Sequence, residues 1–95
     1  MKLYYAPNTC ALASHIVLEE VGAPYETVRV NFDTNEQKSS TYLAVNAKGR
    51  VPSLVTERGV LTETPAILLF LAQSYPQSQL APLSDLWALA EVQAF

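Results

Sequence analysis

The stretch Lys2–Gly22, KLYYAPNTCALASHIVLEEVG, decides the fold, and the rest of the chain is read outward from it. Leu3, Tyr4 and Tyr5 make a short β-prone run over residues 2 to 6, stopped by Pro7-Asn8, which predicts a buried strand and then a turn. Thr9 is placed to cap a helix. From Cys10 to Val21 the apolar residues Leu12, Ala13, Ile16, Val17 and Val21 recur at spacings of three and four, and Gly22 supplies a C-terminal stop, so an amphipathic helix is predicted. Tyr25 to Phe32 then alternates, with Val28, Val30 and Phe32 on one face, which predicts a second strand. A strand, a helix and a strand joined by a right-handed crossover make the two strands parallel.

Beyond this unit, Asp33 to Ser40 is polar and reads as a loop or a weakly held helix start, and Thr41 to Val45 is more helical. Asn46-Ala47-Lys48-Gly49 is a turn signal. Val51 to Val55 is β-prone, with Pro52 removing a ladder donor at the strand's beginning. Arg58-Gly59 fits a hairpin joining Ser53–Glu57 to Val60–Thr62. Thr64 at the N-cap and Pro65 at the first helical position open a helix running to about Ser74, which Tyr75-Pro76 closes. The pattern is an α/β chain in the order βαβαββα, with a mixed four-stranded sheet and helices on both faces. Residues 1–79 complete this domain. Leu80-Ala81-Pro82-Leu83 is then a linker, and Ser84-Asp85 starts a last helical segment in which eight of the ten residues from Leu86 to Phe95 are apolar. A helix apolar on nearly every side is expected to be buried, so residues 80–95 read as the start of a second, incomplete all-helical domain.

Composition bounds the function. With 95 residues, 49% apolar and 16% charged, the chain is expected to fold around one core. Six Lys and Arg are scattered singly against nine Asp and Glu, a net charge of -3, which argues against nucleic acid and anionic membrane surfaces as partners. One cysteine cannot form an internal disulfide. With one histidine beside it, the chain also falls short of a four-ligand structural zinc site, so no metal is expected. The longest apolar run, Pro65 to Ala72, is far below the roughly 20 residues that span a bilayer, and the N-terminus lacks the apolar core of a secretory signal. A reducing cytoplasm is the expected compartment.

Three places can carry chemistry. Cys10 follows a strand and a Pro-Asn turn at the start of a helix, where backbone N–H groups favour a thiolate; it reads equally as a small buried hydrophobe. Ala13 stands three residues on, so there is no Cys-x-x-Cys dithiol. Val51-Pro52 reads by itself as an ordinary trans proline at a strand start; in the cis form, facing Cys10, it would leave the Val51 N–H and C=O to pair with an extended peptide. Glu63-Thr64-Pro65 reads by itself as a helix cap with an acidic neighbour. The same arrangement offers helix N–H groups to a carboxylate and Glu63 to an ammonium, the two charges of an amino-acid headgroup. His15 and Glu19, one turn apart, fit a surface ion pair.

Taken in order, Met1-Lys2-Leu3-Tyr4-Tyr5-Ala6-Pro7, Cys10-Ala11-Leu12-Ala13-Ser14-His15-Ile16, Gly49-Arg50-Val51-Pro52-Ser53-Leu54 and Leu61-Thr62-Glu63-Thr64-Pro65-Ala66-Ile67 resemble the N-terminal domain of a bacterial beta-class glutathione transferase. The resemblance implies a thioredoxin-like fold with a cis Val51–Pro52 bond and glutathione as co-substrate. It implies that Cys10 lies near the glutathione sulfur, Val51 pairs its backbone with the cysteinyl part, and Glu63 and Thr64 hold the γ-glutamyl ammonium and carboxylate. Asn8 and Thr64 depart from the pattern, which has Gly in the turn and Ser or Gly at the helix start. The family chain is more than twice as long. Its all-helical second domain supplies the electrophile pocket and much of the dimer interface, so the implied partners are a small electrophile and a second copy, here through Leu86 to Phe95. The alternative is a non-catalytic transferase-like module for protein interaction or dimerisation.

Overall fold

Pro7-Asn8 ends the first strand because proline cannot donate to the ladder and Asn8 turns the chain at φ 59°. In the computed structural model, which describes residues 1–94, that strand is β1 (Lys2–Tyr5), and it leads into α1 (Ala11–Val21). Phe95, the last residue of the predicted apolar segment, lies outside the described residues. Thr9 Oγ1 accepts from the Ala11 N–H at 3.3 Å and donates to the Ala6 carbonyl at 2.7 Å, so its side chain does the capping while Cys10 holds the N-cap position. Gly22 closes α1 at φ 69°.

The remaining elements are β2 (Glu26–Arg29), α2 (Ser40–Leu43), β3 (Ser53–Thr56), β4 (Gly59–Thr62), α3 (Thr64–Ser74) and α4 (Leu86–Ala94). The sheet order is β2-β1-β3-β4, with β1 parallel to β2 and antiparallel to β3, and β3 antiparallel to β4. The mixed four-stranded sheet read from the sequence is therefore present. Leu3, Leu54 and Leu61 share one row across β1, β3 and β4. On that face Leu3 and Leu54 pack with Leu18 of α1 and Ile67 and Leu71 of α3, all fully buried. The opposite face is closed by Tyr42 of α2, with Ala6, Ala11, Val30 and Val51 around it. Each of these leucines stabilises the fold by roughly 1.5–3 kcal/mol through burial.

Several elements differ from the sequence reading. The buried line of α1 is Ala11, Ser14 and Leu18, whereas Leu12 and Ile16 are half exposed or more. The helix carries more apolar residues than one face can bury, and the small side chains at 11 and 14 let the backbone approach its neighbours closely. β2 ends at Arg29, and Phe32 begins a 3₁₀ turn instead of continuing the strand's inner face. As an edge strand, β2 has one neighbour to extend its ladder. The hairpin turns on Glu57-Arg58, with Gly59 already paired to Thr56, because Thr56 Oγ1 accepts from the Arg58 N–H at 3.1 Å and donates to the Gly59 carbonyl at 3.0 Å. The N-cap of α3 is Glu63, at φ 74°, and Thr64 is its first helical residue.

Nothing among the described residues covers the last helix, the segment for which the sequence asks a cover from outside this domain. Asp85 caps α4 through its Oδ1, which accepts from the Ala88 N–H at 3.1 Å, but no residue of α4 is buried. Leu86 is 84% and Trp87 75% exposed. Only Val92 and Gln93 of this helix reach a hollow of ≈ 460 Å³ lined also by Val17, Leu68, Leu69 and Ala72. That hollow is apolar and holds no titratable side chain. None of the described helices is long and apolar enough to cross a membrane.

Candidate functional site

The candidate site residues gather where β1 runs out and β3 begins, with Thr64 at the start of α3 reaching the apolar hollow as well. The turn through Asn8 and the start of α1 bring Cys10 over the segment entering β3, and its Sγ sits 3.8 Å from the Val51 carbonyl oxygen. Val51–Pro52 is cis, as the resemblance implies. The thiol is exposed, so the reading of Cys10 as a buried hydrophobe falls. The Val51 side chain is buried among Ala6, Ala11 and Tyr42, and its backbone N–H makes no hydrogen bond among the described residues. A groove of ≈ 370 Å³ runs past Thr9, Cys10, Lys38, Arg50 and Val51, within the size range of small-molecule sites.

The segment that presents Val51 is fixed by polar groups that sequence reasoning passed over. Tyr42 is almost fully buried, and its hydroxyl meets the Arg50 carbonyl and Ser53 Oγ, the latter at 2.8 Å. A carbonyl only accepts, so Tyr42 donates to Arg50 and Ser53 donates to Tyr42. Burial pushes the Tyr42 phenol above its ordinary range, with the Ser53 and Asn46 dipoles pulling the other way, so it stays a donor at neutral pH. Asn46 Nδ2 adds a second hydrogen bond to the Arg50 carbonyl at 2.9 Å, and Asn46 Oδ1 accepts from the Lys48 N–H at 3.0 Å. Asn46 and Ser53 are both buried. Asn46 belongs to the polar turn Asn46–Gly49, but nothing in the sequence indicates that this turn closes around the carbonyl before Val51.

Gly49 completes this turn at φ 66°, where a Cβ would lie 2.9 Å from the Gln37 carbonyl oxygen. Here glycine is required both by the left-handed backbone and by the close approach.

The third corner is the start of α3. Lys48 Nζ donates to Glu63 Oε2 at 2.9 Å, tying the turn before Val51 to the residue before Thr64. The five residues singled out by the sequence, Cys10, Val51, Pro52, Glu63 and Thr64, thus lie along one connected belt. The charged hydrogen bond and the charge of Lys48, with Arg50 adding a smaller pull, hold the Glu63 carboxyl below its usual range. A depressed carboxylate pKa means that the favourable contact is complete above the ordinary Glu range and is lost as pH falls through the lowered value. We expect NMR titration of the Glu63 side chain to show this low midpoint in the parent chain and a return toward ordinary Glu in Lys48→Met. Equal midpoints would remove Lys48 as the cause.

The expected ion pair between His15 and Glu19 is corrected. His15 lies against the rings of Tyr5 and Tyr25, at centroid distances of 5.6 and 5.8 Å, and the ion pair found among the described residues is Lys48–Glu63. Partial burial and then the Glu19 carboxylate raise the Tyr25 phenol above its ordinary range.

Residues 1–73 match the family profile described as "Glutathione S-transferase, N-terminal domain". The chain is 44% identical over 89 residues to the glutathione S-transferase GstA of Escherichia coli O157:H7, covering 90% of this chain and 44% of that one. It superposes on a solved glutathione transferase homologue from Sulfitobacter, which has glutathione bound, with a TM-score of 0.93 and 44% identity, over 98% of this chain and 45% of that chain. A bacterial beta-class glutathione S-transferase from Sphingomonas chungbukensis is 45% identical with a TM-score of 0.76, over 86% of this chain and 42% of that one. The chain therefore spans under half the length of these relatives. The profile match, the identities and the shared thioredoxin-like fold lead to one conclusion: the chain belongs to the glutathione S-transferase family and carries its N-terminal domain.

Proposed function

We propose that the chain binds glutathione in the groove between Cys10 and Val51 and serves the transfer of the glutathione thiolate to small electrophilic carbon compounds. The observation that carries this reading is the 3.8 Å approach of Cys10 Sγ to the Val51 carbonyl, beside a Val51 N–H that makes no hydrogen bond among the described residues. An extended cysteinyl peptide would pair with that N–H and C=O as an added strand does, which brings its sulfur toward Cys10. Glu63 and the first N–H groups of α3 at Thr64 take the γ-glutamyl ammonium and carboxylate. Lys38 and Arg50 add positive charge along the groove.

Cys10 also supports thiol transfer. Its thiolate attacks glutathione disulfide, a Cys10–glutathione disulfide forms, and one glutathione thiolate leaves. A working lone thiol suits a reducing cytoplasm. Residues 1–79 form the glutathione-binding domain, and residues 80–95 open a second one. The exposed Leu86 and Trp87 favour a partner on that segment, in the form of a homodimer or, in the second reading, of a non-catalytic interaction module.

Calorimetric titration of the purified chain with glutathione, with circular dichroism to establish folding, separates the two readings. Saturable binding is expected; a folded chain that does not bind leaves the interaction module. On exposure to glutathione disulfide, mass spectrometry is expected to find one adduct on the parent chain and none on Cys10→Ala, and an adduct on the variant would refute thiol transfer through Cys10.

A further inference from the structure

The Lys48–Glu63 pair occupies the place where an incoming ammonium is to bind. Lys48 is anchored at its backbone, whose N–H is held by the buried Asn46 side chain at 3.0 Å, while its side chain is 54% exposed. The root of the residue is fixed and its ammonium is free to swing. A ligand ammonium that takes Glu63 must displace the Lys48 ammonium. The displaced charge is then left beside Arg50, a second cation in the same turn, unless the ligand brings an anion with it. A headgroup carrying its ammonium and carboxylate on one carbon meets this condition: the ammonium replaces Lys48 on Glu63, and the carboxylate, seated at the start of α3 next to Glu63, lies within reach of Lys48.

We propose that Lys48 is a specificity-determining residue that exchanges partners on binding, leaving Glu63 for the ligand's α-carboxylate, so that the site selects an intact α-amino-acid headgroup over an ammonium alone. This inference rests on the reading that Glu63 and Thr64 receive the γ-glutamyl end of glutathione. The protein's own ion pair neutralises Glu63, and the zwitterion enters by splitting that pair into two. An ammonium without a carboxylate loses twice, because it competes with Lys48 for Glu63 and leaves Lys48 unpaired. Since the pair is exposed, the effect is moderate, of the few-fold size typical of solvent-accessible charge contacts.

The test compares glutathione with 4-aminobutanoyl-cysteinylglycine, which keeps the ammonium and lacks the α-carboxylate, by calorimetry on the parent chain, Lys48→Met and Lys48→Arg, each shown to be folded by circular dichroism. The parent is expected to prefer glutathione. Lys48→Met is expected to lose about 2- to 5-fold in glutathione affinity while holding or gaining affinity for the analogue, and Lys48→Arg is expected to restore the preference. A Lys48→Met variant that weakens both tripeptides by the same factor, or binds glutathione as tightly as the parent or more tightly, overturns the exchange and leaves the glutathione site standing. A folded parent chain that binds neither tripeptide overturns both.

Discussion

Leu54→Ala is expected to lower the free energy of unfolding by about 2–5 kcal/mol, the cost of deleting a fully buried leucine and leaving a cavity. Leu54 sits at the centre of β3 with no exposed surface, across from Leu3 on one side and Leu61 on the other. It also packs with Ile67 and Leu71 beneath the sheet, so no single neighbour can move to fill the space. Total stability for a small domain is only about 5–15 kcal/mol, so the loss is a large part of the whole. Urea denaturation measures it directly, and the melting temperature is expected to fall by more than about 8 °C, at roughly 4–8 °C per kcal/mol for a chain of this size. Val60→Ala is the control. Val60 lies on the edge strand β4 and is 45% exposed, so its cost is expected to stay below about 1 kcal/mol. Equal losses in the two variants would show that strand propensity, and not burial in the Leu3–Leu54–Leu61 row, holds the sheet.

The second large effect is expected at Gly49. Gly49→Ala meets two costs: a left-handed backbone at φ 66°, worth roughly 1–2 kcal/mol for a residue with a Cβ, and a collision at 2.9 Å with the Gln37 carbonyl. The obstacle is backbone and cannot rotate away. Residues 37 and 38 or 49 to 51 must therefore shift, and Lys38, Arg50 and Val51 line the groove. Gly22→Ala separates the two costs, because Gly22 has φ 69° and nothing within 4 Å of its added Cβ. Gly22→Ala is expected to destabilise by about 1–2 kcal/mol and to leave glutathione affinity unchanged. Gly49→Ala is expected to lose about 2–4 kcal/mol and to weaken glutathione binding along with it. If the two variants match in both stability and affinity, the close approach of the 46–50 turn to Gln37 is not what shapes the groove.

Three element ends were legible because local signals there agree. Pro7-Asn8 stops β1, Gly22 stops α1, and Thr64-Pro65 marks the start of α3, each through a backbone preference that acts within two or three residues. The boundaries that moved did so where a neighbour in space outweighed the local preference. Thr56 pulled the hairpin turn one residue early by hydrogen-bonding across it, and the inner face of α1 followed the line of small residues Ala11 and Ser14 instead of the larger Leu12 and Ile16. His15 paired with rings on β1 and before β2 because those rings lie across the packing surface, whereas Glu19 lies along its own helix.

For the site, the sequence by itself determined the candidates: one thiol at a helix start, one Val-Pro before a strand, and one carboxylate at the head of a helix. These are chemical identities and short-range spacings, and they do not depend on the rest of the chain. Only the tertiary structure decided how they are joined. The contact of Cys10 with Val51 joins residues 41 positions apart, and Lys48 joins Glu63 across 15. The buried Tyr42, Asn46 and Ser53 fix the Arg50 carbonyl between them, and no local pattern marks such groups. A hydrogen bond between distant residues forms only after burial has excluded water and brought both partners to one place, so its members become visible when the fold is in hand.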